Sequence, residues 1–118
     1  MVKLVIMDWK QVKAQTIRDV ERRVPQKEGK IIYVDSLQAL RSLMTKGRLS
    51  MLSEVHKGKP GSLYELARSM KKDIKTVATD AKILSEMGLL ELKAYKEGGR
   101  KKVRPVTRVR KISVEVPI

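Results

Sequence analysis

The chain has 118 residues, with 27 Lys and Arg against 13 Asp and Glu, a formal charge of +14 and a sequence pI near 10.3. That length suits one domain with its own core, and the absence of cysteine excludes a disulfide framework or a thiolate metal site. The charge exceeds what solubility requires and points to a polyanionic partner, nucleic acid ahead of an acidic membrane surface. No apolar run reaches the length of a bilayer span and MVKLVIMD is too short for a signal peptide, so the expected location is cytoplasmic.

Val2, Leu4 and Ile6 alternate with Lys3 and Val5, which predicts a strand over residues 2–7. Asp8 then caps a helix, with Gln11 at the capping-box position and Met7 and Val12 as a hydrophobic staple. Trp9, Val12, Thr16, Ile17, Val20 and Val24 form its apolar side, and Pro25 ends it. After a polar loop, Ile31 to Val34 makes a short strand. This strand-helix-strand unit reads equally as extra core or as a dimer interface. Ser36 opens a helix with Leu37, Leu40, Leu43 and Met44 as its apolar residues. A break near Lys46-Gly47 is followed by a helix from about Arg48 to His56 that uses Leu49, Leu52 and Val55, and Gly58 to Gly61 is a plain loop.

The next stretch organises the rest. Ser62 with Glu65 three residues on is a capping box, and Leu63, Leu66, Ala67 and Met70 share one helical face. The pattern stops at Lys71-Lys72, and Asp73 is the N-cap of a second helix. Ile74, Val77, Ala81, Leu84 and Gly88 recur three and four apart, with Gly88 supplying the left-handed terminator. Helix, three-residue turn and longer helix make a helix-turn-helix. Lys75, Thr79, Lys82 and Glu86 point away from the second apolar stripe, with Thr76 at its edge, so donors for phosphates and base edges line the outer face. A merely solvated helix face accounts for these residues equally well.

Beyond Gly88 the period becomes two: Leu90, Leu92 and Ala94 on one side, Glu91, Lys93 and Tyr95 on the other. In KEGGRKKVR, residues 96–104, Gly98-Gly99 is a hairpin turn with Lys96, Arg100, Lys101, Lys102 and Arg104 clustered around it. A second helix followed by a basic-tipped hairpin is the layout of a winged helix. More basic charge follows from Val106 to Lys111, and Ile112, Val114 and Val116 alternate as a final strand that pairs with the N-terminal one.

The run SLYELARSMKKDIKTVATDAKILSEMGLL resembles the core of small prokaryotic winged-helix transcription regulators related to the MarR-like regulators, some of which are encoded beside toxins. The resemblance extends over nearly the whole chain, with departures. Met44-Thr45-Lys46-Gly47-Arg48 replaces a leucine-threonine-x-lysine-arginine-like segment, Ala81 stands where a larger aliphatic residue is usual, and the C-terminal stretch is longer and more basic.

Catalytic chemistry has few candidates. His56 is the lone histidine and suits a helix C-terminus; Asp73, Asp80, Glu86 and Glu91 suit caps, salt bridges or surface. No glycine-rich phosphate loop and no His/Asp/Glu metal cluster is legible, and Tyr64 and Tyr95 are isolated. The expected fold is α+β, a single domain in which a strand-helix-strand extension over residues 1–35 precedes a winged helix-turn-helix over residues 36–118. The expected function is a non-enzymatic, cofactor-free and metal-free homodimer that binds double-stranded DNA in a sequence-specific way and regulates transcription. Lys75, Thr76, Thr79 and Lys82 would lie nearest the bases, Ser62, Lys71 and Lys72 on phosphates, and Arg100, Lys101, Lys102 and Arg104 in the wing contact. Two other readings stay open: an antitoxin that binds a toxin partner and autoregulates its operon, and a non-specific basic nucleic-acid binder.

Overall fold

The computed structural model describes residues 2–6 and 30–116, which fall into two compact units. Met1–Leu43 with Arg110–Ile118 form the first, and Met44–Val109 the second. The fold is α+β, with four helices among the described residues. The helix expected from Asp8 to Val24, and the apolar residues Trp9, Val12, Ile17 and Val20, lie outside the described residues.

In the first unit, β1 (Val2–Ile6), β2 (Lys30–Val34) and β5 (Ile112–Glu115) form a sheet in the order β2-β1-β5. Both pairings are parallel, with Val2 opposite Lys30 and Ile112. The tail does pair with the N-terminal strand, joined also by the Lys3 to Glu115 ion pair at 3.3 Å and by Val2 N–H donating to the Lys111 carbonyl. Strict alternation in β1 implied one buried face. Instead neighbouring Leu4 and Val5 are both buried, so both faces of this central strand are covered, as in parallel sheets generally. After β2, Ser36 Oγ accepts from Ala39 N–H and starts α1 (Leu37–Leu43), whose Leu40 is buried and whose Leu37 is exposed. The sequence grouped α1 and β5 with the helix-turn-helix; here they sit in the unit of β1 and β2.

The second unit runs α2 (Lys46–Gly58), α3 (Leu63–Met70), α4 (Ile74–Glu86), β3 (Glu91–Glu97) and β4 (Arg100–Val106). The expected break at Lys46-Gly47 falls earlier, because Thr45 Oγ1 accepts from Arg48 N–H and caps α2 at once. The other end also differs from the plain loop expected at Gly58 to Gly61. Gly58 is still helical, and left-handed Lys59 closes α2 with its N–H on the Val55 carbonyl. Leu49 is exposed and Met51 takes its place in the core. That core joins Met51, Leu52 and Val55 of α2, Leu66 and Ala67 of α3, and Val77, Ala81 and Leu84 of α4. Leu89 and Leu90 complete it at the entry to β3. At the end of α4, Gly88 at φ 76° lets Gly88 and Leu89 N–H reach the carbonyls of Ser85 and Leu84, the paired bonds of a Schellman stop.

Candidate nucleic-acid interface

Ser62 Oγ accepts from Glu65 N–H at 3.2 Å, so α3 begins where the capping box placed it. The glutamate reaches back one residue beyond the cap, its Oε2 taking Gly61 N–H at 2.6 Å. A Cβ on Gly61 would lie 3.0 Å from that oxygen, so a larger residue there would push on the carboxylate. Ser62 is only 5% exposed. Its hydroxyl accepts the capping bond, and the Glu65 carboxylate lies at the same helix start, where the sequence placed a phosphate against free backbone N–H groups.

The turn into α4 is made by Lys71, Lys72 and Asp73. Lys71 takes a left-handed conformation at φ 55°, and Lys71 and Lys72 N–H close α3 on the carbonyls of Arg68 and Ala67. Asp73 stands at the N-cap of α4, but its side chain makes no capping bond there. Lys71 and Lys72 are both exposed. The Lys72 ammonium folds back over α2, 2.9 Å from where a Cβ on Gly47 would sit.

On α4, Lys75, Thr76, Thr79, Lys82 and Glu86 are all exposed, opposite the fully buried Val77, Ala81 and Leu84. The sequence-predicted face is therefore brought together on one side of one helix. The Thr79 hydroxyl donates to the Lys75 carbonyl at 2.8 Å and keeps its acceptor capacity. At the flank of this face, one turn beyond Thr76, Asp80 binds Arg48 Nε of α2 at 3.2 Å, with both side chains largely buried. Sequence reasoning left Asp80 as generic surface or salt bridge, because nothing local names a partner 32 residues away.

The β3–β4 hairpin closes on Gly98 and Gly99, both at positive φ, which is the two-residue turn matching the twist of paired strands. Its register sorts the basic residues by face. Tyr95 pairs with Lys102, Lys93 with Arg104 and Glu97 with Arg100 on one face; Leu92 pairs with Pro105, Ala94 with Val103 and Lys96 with Lys101 on the other. Arg100, Lys102 and Arg104 thus lie apart from Lys101. Tyr95, on the side of the strand that the alternation assigned it, is half-buried while Ala94 is exposed. Its hydroxyl donates to the Gly61 carbonyl at 2.6 Å, tying the hairpin to the start of α3, and the Arg104 guanidinium lies 5.0 Å over its ring. At the base, Thr107 Oγ1 donates to the Leu89 carbonyl.

The family model HVO_A0114 matches residues 43–114, more than half of the chain and all of the second unit. The chain belongs to the HVO_A0114 family. None of the curated proteins matches it. Among solved structures, this HVO_A0114 member is similar to one named "Possible transcriptional regulator" from Methanosarcina mazei Go1, with a TM-score of 0.50 at 20% identity. The match covers 60% of this chain and 63% of that one, so the two share a fold over part of their lengths. No helix among the described residues is long and apolar enough to cross a membrane.

Proposed function

We propose that the chain is a sequence-specific, double-stranded DNA-binding transcription regulator of the winged helix-turn-helix kind, acting by binding rather than catalysis. In this reading α4 enters the major groove and the β3–β4 hairpin is the wing. The observation that carries it is the outer face of α4, where Lys75, Thr76, Thr79 and Lys82 stand exposed opposite a wholly buried stripe. A helix about 10–12 Å across fits a groove about 12 Å wide, and the 13 residues of α4 would run about 20 Å along it. The three-residue turn and the basic hairpin flank that helix, and the net charge of +14 supplies attraction to phosphates whatever the sequence. Likeness of fold to a protein named as a possible transcriptional regulator supports the same reading.

The test uses Thr76→Val and Thr79→Val, which keep side-chain shape and remove the hydroxyl. Affinity for a preferred duplex should fall by about 1–3 kcal/mol for each base edge that loses its hydroxyl partner. Binding to random duplex, and its salt dependence, should stay unchanged. Equal weakening on both duplexes would contradict reading by α4 and favour a non-specific basic binder.

A further inference from the structure

The hairpin treats its cations unequally. On the face of Tyr95, nearly every cation has a neighbour that offsets its charge: Lys102 binds Glu97 at 3.5 Å, Lys93 binds Glu91 at 3.9 Å, and Arg104 stacks on Tyr95. Arg100 stands directly across from Glu97. On the opposite face, Lys96 and Lys101 stand directly across from one another, both exposed, and neither has an anionic partner among the described residues. A two-residue hairpin closes on a hydrogen-bonded pair, here Glu97 and Arg100. The next pair, Lys96 and Lys101, is then of the non-hydrogen-bonded kind, where Cα atoms are about 4.5 Å apart and side chains lie closest. Like charges at that spacing oppose hairpin formation. Folding alone gives no reason to keep both.

We infer that Lys96 and Lys101 form a phosphate-binding pincer, the part of the hairpin that grips the backbone of a duplex, while Arg100, Lys102 and Arg104 chiefly hold the hairpin together. The inference rests on the DNA-binding reading and narrows it: one face of the wing meets the DNA, and Lys96 belongs to it. Two ammonium groups held side by side match one phosphate or two adjacent ones, and an arriving anion removes the repulsion between them.

Two double variants of equal charge separate the faces: K96Q/K101Q and R100Q/K102Q, each in the full chain. The measurements are thermal unfolding, the salt dependence of binding to a random-sequence duplex, and the salt needed for elution from heparin. K96Q/K101Q should melt no lower than the parent protein, because repulsion is relieved. Its log–log salt slope should fall by roughly 0.9 for each phosphate no longer neutralised. R100Q/K102Q should melt lower, because Glu97 is left without its partners, and keep the parent slope. A parent slope in K96Q/K101Q, or equally reduced slopes in the two variants, overturns the pincer while leaving DNA binding intact. If the parent protein fails to bind duplex, the DNA reading itself falls. The heparin elution then decides the pincer alone: an earlier elution for K96Q/K101Q than for R100Q/K102Q upholds an anion site, and coincident elution overturns it.

Discussion

Lys71 holds a left-handed backbone at φ 55°, a conformation that costs most L-residues about 1–2 kcal/mol and costs glycine nothing steric. Its cation beside the C-terminus of α3 recovers part of that cost from the helix dipole. Lys71→Gly should therefore stabilise the protein by up to about 1 kcal/mol in chemical denaturation. If the ammonium also meets a phosphate, the same variant should bind duplex more weakly, and stability and affinity would move in opposite directions. Ser62→Ala should cost about 1 kcal/mol in the same assay, since it removes the capping acceptor of Glu65 N–H. The two residues also mark what could be read in advance. Ser62 with Glu65 is a spacing, legible in any sequence, whereas a lysine forced into the left-handed region by the tightness of a turn has no residue signature. Lys59 at φ 44° is the second such case.

At the scale of elements, periodicity located α3, α4 and the hairpin, because each buries a stripe that repeats with its own geometry. It misplaced the start of α2, where Thr45 overrides the apparent break at Gly47. It sorted the side chains of β3 by face but gave no sign that the Tyr95 hydroxyl would bond to Gly61, 34 residues away. Interactions between elements were illegible for the same reason: a partner far along the chain leaves no local pattern. The pair of Arg48 and Asp80 is the consequential example, since it fixes α4 against α2 from the edge of the proposed reading face. Arg48→Met leaves a largely buried carboxylate unpaired and should destabilise more than Arg48→Met combined with Asp80→Asn. The double-mutant cycle should return a coupling on the order of 1 kcal/mol, and a value near zero would mean that the pair does not hold the helix. Tyr95→Phe should cost about 1 kcal/mol by removing the bond to the Gly61 carbonyl, read by denaturation.

For the whole molecule, the segment from α2 to β4 is inserted into the chain between β2–α1 and β5, so both ends of the second unit lead back in sequence to strands or helices of the first. The Lys3 to Glu115 pair, 112 residues apart in sequence, joins strands from the two ends of the chain. Composition and periodicity suggested that the tail meets the first strand, but they did not show which unit α1 would join. The homodimer expected from the sequence sets a geometric expectation: symmetric half-sites about 34 Å apart, or a multiple of that. Sedimentation at micromolar concentration should show a dimer on such a site, and a monomer on and off DNA would contradict it. The central claim, that α4 reads sequence in a duplex, is tested most directly by selecting bound duplexes from a random pool over several rounds with the full chain. The account predicts that one short sequence is enriched, and that the enrichment disappears with Thr76→Val and Thr79→Val while the total DNA retained stays the same. A pool that stays random while DNA is retained, or an enriched sequence indifferent to both threonines, would contradict it.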